Sequence, residues 1–209
     1  HFGFFSMLMA EMVGESGEVH SFEPMPDTFN ILKENTKGLP IQINNQAIWQ
    51  ESCDLELKDY GLAKSAFNSL RDAREKNQSL NKVQGLVSVK AESLDNYVIA
   101  KSIKPDFIKI DAESAEYEIL LGMNKILSEI RPIICIELGD LGISGAAKSS
   151  LIVEKLMNEY DYMAIEWNDN IFKKHTPMKH YPYSNLIFIH SSKITEEKLF
   201  KNTQIKTSA

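Results

Sequence analysis

Acids that close short apolar runs are the first residues in this chain whose types and spacing could do chemistry. Glu23 follows Val19-His-Ser-Phe22, Asp111 follows Phe107-Ile-Lys-Ile110, and Glu137 follows Ile133-Ile-Cys-Ile136. Runs of this kind, alternating with longer helical stretches, read as βαβ units with a parallel sheet. In such a sheet ligands sit beyond the carboxyl ends of the strands, where these acids fall. Gly3 stands just before the first helical stretch, where a missing side chain lets a ligand approach backbone amides, and Glu23 comes 20 residues later. That spacing suits an acid accepting both hydroxyls of an adenosine ribose, in a dinucleotide or in S-adenosylmethionine (SAM). A simple turn glycine explains Gly3 equally well from these residues alone.

The elements that must hold these groups follow from patterning. Phe4 to Val13 is almost continuously apolar, with Glu11 as its one charge and Gly14 and Gly17 beyond it, which predicts a buried helix with a glycine stop. Met7, Met9 and Met12 then pack rather than ligate. Glu18 to Glu23 reads as a strand, Asp27 as the N-cap of a helix running to Lys37, and Ile41 to Trp49 as one further strand. From about residue 50 to 85 hydrophobic density drops and charges of both signs interleave, which predicts a partly ordered insertion rather than a binding lid. Leu86 to Val89 is a strand, Ser93-Leu-Asp95 opens a short helix, and Pro105 to Asp111 reads as a buried strand. A helix from Ser114 to about Glu129 is closed by Arg131-Pro132, and Ile133 to Glu137 is the next strand. A small-residue loop from Gly139 to Ala147 precedes a helix near Ser149 to Tyr160 and strands near Tyr162 to Trp167 and Asn185 to His190. The reading is one domain over residues 1–190, with the insertion at about 50–85, and a polar tail over residues 191–209.

Composition narrows the partners. The 209 residues are 43% hydrophobic and 25% charged, as in ordinary globular chains. Against 29 acids stand 23 bases, a net charge of -6, so there is no electrostatic footprint for nucleic acid or an anionic membrane. No apolar run approaches the roughly 18 residues of a membrane span. Cys53 and Cys135 lack metal-type spacing and read as structural thiols of a reducing, cytoplasmic compartment, with no metal site expected. The chain enters at once into His1-Phe-Gly-Phe-Phe-Ser6, with neither a charged leader nor a cleavage site. This predicts an amino terminus lying upstream of His1.

Four segments read together carry a resemblance: Gly3-Phe-Phe-Ser6, Val19-His-Ser-Phe-Glu-Pro24, Ser93-Leu-Asp95, and Asp106-Phe-Ile-Lys-Ile-Asp-Ala-Glu-Ser-Ala-Glu116. With Leu120-Leu-Gly122 and Arg131 to Glu137 they resemble the FkbM-type methyltransferases over most of the chain. The resemblance implies an α/β, Rossmann-like class I methyltransferase sheet, mostly parallel, whose first strand is truncated here. It implies SAM as cofactor and an O-methyltransferase acting on a hydroxyl of a sugar, glycan or secondary metabolite. Gly3 and Ser6 would belong to the end of the glycine loop, Glu23 and Pro24 to the ribose site, and Asn45 and Ala47 to the family's Asn-x-Ala run by the adenine. An asparagine at position 45 could equally satisfy backbone groups. Where the family has glycine this chain has Ser114, a favoured N-cap whose Cβ narrows any site needing close backbone approach.

Moving a methyl from sulfonium to hydroxyl needs an acceptor oxygen aligned behind the methyl and a base for its proton. Asp111 and Glu113 are the candidate catalytic residues, with Glu137 at a similar height; capping a helix or balancing Lys109 is the competing role. Lys109 is read as a structural ion pair with Glu137 or Asp95. In the loop holding His175, His180, Tyr181 and Tyr183, one histidine could be a base or simply solvated. Two further readings stay open: a nicotinamide oxidoreductase using the same Gly3-to-Glu23 spacing, and a degenerate binding domain without catalysis.

Overall fold

The structure is a computed structural model of the chain and describes residues 1–71, 83–140, 143–168, 171–182 and 184–193. Helix α1 (Phe4–Val13) starts after Gly3 in a left-handed conformation (φ 97) and stops at Gly14. It lies against strand β1 (Val19–Phe22), turning Ala10 inward. Its other face is bare: Phe4 is 70% and Met12 77% exposed. Met12 therefore does not pack as expected, while Met7 and Met9 are half-buried. Helix α2 (Pro26–Asn35) takes Pro26, not a residue after Asp27, as its first position. Met25 is the cap, and Asp27 sits inside the first turn, where its charge favours the positive helix end.

The expected single strand from Ile41 to Trp49 is two. β2 (Ile41–Asn44) pairs in parallel with β1, whereas β3 (Ala47–Ile48) belongs to another sheet. The break falls at Asn45, whose amide donates to the carbonyls of Glu23 (2.9 Å) and Pro24 (3.1 Å) instead of continuing a ladder. The insertion is more ordered than its composition implies. β4 (Cys53–Asp59) alternates half-buried and exposed side chains and runs antiparallel to β5 (Gly85–Glu92), which with β3 completes a three-stranded sheet. Met25, Ala47, Leu57, Val89 and Ala91 form the small core beneath it. Residues 72–82 of the insertion lie outside the described residues.

Helix α3 (Leu94–Lys101) is capped by Ser93, which accepts from Asn96 N at 3.2 Å, as its sequence predicts. β6 (Phe107–Ile110) then pairs in parallel with β7 (Ile133–Leu138). β6 is buried on one face only, Phe107 being 44% exposed. The expected helix from Ser114 to Glu129 divides into α4 (Glu116–Leu121) and a π-helical turn over Ile126–Ile130. The interruption follows Gly122, which has no room for a side chain against the Trp49 carbonyl. Asp95 caps the second piece, its two oxygens accepting from Lys125 N (2.9 Å) and Ile126 N (3.0 Å), so it is no partner of Lys109.

Helix α5 (Ser149–Glu154) runs on into a second π turn over Lys155–Glu159. β8 (Tyr162–Asn168), β9 (Ile171–Lys174) and β10 (Ser184–His190) complete the largest sheet, in the order β6-β7-β10-β8-β9. Only its β6–β7 contact is parallel, so the fold is mixed α/β with mixed sheets rather than a mostly parallel one. Among the described residues β1 pairs only with β2 and β6 only with β7, so Val19–Phe22 and Phe107–Ile110 are not partners. The main core, including Leu120, Ile126, Ile134, Ile136, Val153, Leu156 and Phe188, packs α3, α4 and α5 on one face of this sheet. No described helix is long and apolar enough to cross a membrane.

Candidate functional site

Glu23 leaves the end of β1 buried, at 7% exposure, which for a carboxylate requires partners. Oε1 accepts from Met25 N at 3.0 Å, a contact within the turn that starts α2. Gly3 lies alongside: a Cβ there would stand 2.8 Å from Leu32 Cδ1, and its φ of 97 is one that side chains rarely adopt. Ser6 Oγ accepts from Ser21 Oγ at 2.7 Å, tying α1 to β1. Asn45 holds the Glu23-Pro24 backbone, while Ala47 is 9% exposed and belongs to the small core. The structure thus gathers Gly3, Ser6, Glu23, Pro24 and Asn45 around one strand end and gives Ala47 a packing role.

The second group of acids converges at the ends of β6 and β7. Asp111, Glu113 and Glu137 each place a carboxylate oxygen within 4.8 Å of the others, a spacing that could also hold a hard divalent cation. Lys109 Nζ reaches Asp111 Oδ2 at 3.2 Å and lies 5.5 Å from the Phe5 ring centroid, so its structural partner is its own strand neighbour. Through Phe5 this cation also links the start of α1 to the acid cluster.

The loop carrying Glu113 is strained. Glu113 (φ 46) and Ser114 (φ 77) are consecutive non-glycine residues in the left-handed region, which costs about 1–2 kcal/mol each. Ser114 is therefore not the N-cap its type predicts: Ala115 holds that place, and a glycine at 114 would suit the backbone better. Two residues hold the conformation. Glu116, itself 8% exposed, accepts at Oε1 from Ala112 N (2.9 Å) and Ser114 N (3.3 Å). Burial pushes its carboxyl above the usual range, against backbone N–H bonds that pull it down, and the charge of Asp111 adds to the rise. From the insertion, Arg71 donates to the Ser114 carbonyl and to Glu118 Oε1.

Beyond these acids opens a cleft of about 350 Å³, lined by Glu113, Glu137, Asp140, Ile143, Lys179 and His180 among others. Its far wall is knotted by Asp140. Oδ1 accepts from Ser149 N at 2.8 Å, Oδ2 from Tyr181 N at 2.8 Å, and His180 Nδ1 lies 3.4 Å away. Partial burial would raise the Asp140 carboxyl, but the Ser149 and Tyr181 bonds and the nearby His180 bring it below its ordinary value. The two loop histidines separate here. His175 is 2% exposed and fully engaged, with Nδ1 2.7 Å from Glu166 Oε2 and Nε2 3.1 Å from the Tyr181 hydroxyl. It braces the wall, whereas the exposed His180 lines the cleft. Tyr183 lies outside the described residues.

Asp140, Glu116 and Arg71 are the functional neighbours that sequence reasoning missed. Asp140 had a usable signal, an acid just beyond a strand-ending Glu137 in a small-residue loop. Arg71 had none, because it meets Ser114 across 43 positions.

Comparison with known proteins identifies the family to which this fold and its strand-end acids belong. The profile of the methyltransferase FkbM domain matches residues 1–163. The chain belongs to the FkbM methyltransferase family. It is 31% identical over 120 residues to the hexuronic acid methyltransferase AglP of Haloferax volcanii, a match covering 56% of this chain and 45% of that protein. The crystal structure of an FkbM methyltransferase from Methylobacillus flagellatus superposes with a TM-score of 0.51 at 14% identity, over 89% of this chain and 40% of that one. The chain thus spans less than half the length of either relative.

Proposed function

We propose that this protein is a SAM-dependent O-methyltransferase of a Rossmann-like class I type, acting on a hydroxyl of a sugar, glycan or secondary metabolite. A sugar acceptor is favoured by the likeness to a hexuronic acid methyltransferase. The observation that carries the reading is the convergence of Asp111, Glu113 and Glu137, of which Glu113 and Glu137 line a cleft, with Lys109 beside them reaching Phe5 at the start of α1.

The residues present fit a nucleoside cofactor. Glu23 offers a buried carboxylate at the end of β1, and α1, which starts after Gly3, lies against that strand. When bound there, SAM would supply an electrophilic methyl whose C–S bonding pair stays with sulfur. Asp111 accepts the acceptor's hydroxyl hydrogen, so that the oxygen gains nucleophilicity as its new bond to carbon forms, and the proton ends on the carboxylate. Lys109 keeps Asp111 oriented. The Asp140 knot fixes the far wall, so the acceptor is held rather than tumbling, which is where most of such a rate enhancement arises.

Methyl transfer from labelled SAM to a panel of sugars, uronic acids, glycans and phenolic metabolites tests the proposal. Turnover on at least one hydroxyl acceptor is expected. Binding of NAD with no response to SAM would overturn it in favour of an oxidoreductase, and binding of neither in favour of a non-catalytic domain.

A further inference from the structure

The acids of the cleft share a sheet face with an exposed aromatic pair that the reaction itself does not use. Trp167 on β8 stands in register with Phe172 on β9, their ring centroids 4.6 Å apart. Trp167 is 57% exposed and Phe172 37%. Side-chain alternation fixes the face. Tyr162 and Ala164 point into the main core with Leu186 and Phe188, so Ile165 and Trp167 take different sides from Ala164 and Glu166. The pairings Ile165↔Ile187 and Ile187↔Cys135 carry that second side across β10 to β7, where Glu137 lies two residues beyond Cys135. Lys109↔Cys135 carries it on to β6 and Asp111. Between acids and aromatics stands Asn185, exposed and paired with Glu137.

β10 separates β7 from β8, so Glu137 and Trp167 lie two strand spacings apart, roughly 10 Å. One pyranose ring does not bridge that gap; a disaccharide or longer chain does. An aromatic face matches the C–H face of a pyranose, and a neighbouring polar group on the same sheet face, here Asn185, matches its rim of hydroxyls.

We propose that Trp167 and Phe172 form an aromatic subsite that stacks on a second sugar ring of the acceptor, so that an oligosaccharide is preferred over its terminal monosaccharide. This rests on the reading that the acceptor is a sugar hydroxyl. The test compares kcat/KM for one sugar as the free monosaccharide and as the end residue of its di- and trisaccharide. The wild-type protein is expected to prefer the longer acceptors, and Trp167→Ala to reduce that preference ratio roughly 10- to 100-fold. Trp167→Tyr is expected to restore most of it. An unaltered ratio in Trp167→Ala and Phe172→Ala would overturn the subsite while leaving the methyltransferase reading intact. Fluorescence of Trp167 in a Trp49→Phe background, titrated with the trisaccharide, needs no turnover. A saturable shift supports the subsite, and its absence contradicts it even if no sugar is methylated.

Discussion

The end of β1 and the ends of β6 and β7 both carry acids, buried at Glu23 but exposed at Asp111 and half-buried at Glu113 and Glu137, and they are built differently. Around Glu23 the partners are close in sequence or on the adjacent strand: Met25 N, the Asn45 amide on the Glu23 carbonyl, and a glycine at the one position with φ 97. That region needs no strained residue other than glycine to hold its shape. Around Asp111 the loop carries two non-glycine residues at positive φ and is held by Glu116 from α4 and by Arg71 from the insertion. The first region is assembled locally, whereas the second draws its supports from several segments and stores strain that those supports offset.

Changing Asp111 is the sharpest way to separate the two regions. Asp111→Asn is expected to lower kcat by roughly 10²–10⁴-fold while leaving SAM affinity within a few-fold, measured by single-turnover methylation beside calorimetry. A parallel loss of SAM affinity would merge the two regions into one. Arg71→Ala tests whether the insertion really supports the acid loop. Arg71 and Glu118 are mostly shielded, at 13% and 17% side-chain exposure, so truncation is expected to cost about 2–3 kcal/mol in urea unfolding. Ser114→Gly should act the other way, raising stability by about 1 kcal/mol because glycine accepts φ 77 without strain.

The smallest effect is a pH dependence. The Glu116 carboxyl is raised by burial, so the folded chain holds its proton more tightly than the unfolded one. Its contribution to stability is full below the unfolded value of 4.5 and is lost as pH rises through the higher folded value. Glu116→Gln keeps the accepting Oε1 and removes the titration, so its stability should fall less steeply with pH above 4.5. Melts at a series of pH values would show this, and identical slopes would contradict it.

Much of this was legible in the sequence where the signal is local. Ser93 caps α3, and Glu23 and Asp111 do close strands. What was not legible depends on distant partners. Asn44-Asn45 breaks the expected strand because the Asn45 amide finds the Glu23-Pro24 backbone 22 and 21 positions away. β4 was hidden because its Cys53, Leu55 and Leu57 alternate with charged residues, so that density falls even as period-two patterning persists. The left-handed turn at Glu113-Ser114 contradicts the preferences of both residues, and only the grip of Arg71 and Glu116 explains it. β9 spans just Ile171–Lys174, and among the described residues it pairs only with β8.

Everything about catalysis depends on a SAM nucleoside being held by the acid at the end of β1. Calorimetric titration of SAM into the wild-type protein and Glu23→Ala tests this directly. Saturable binding to the wild type, weakened about 10- to 100-fold in the variant, is the expected result. Equal SAM affinity in the two proteins would contradict it.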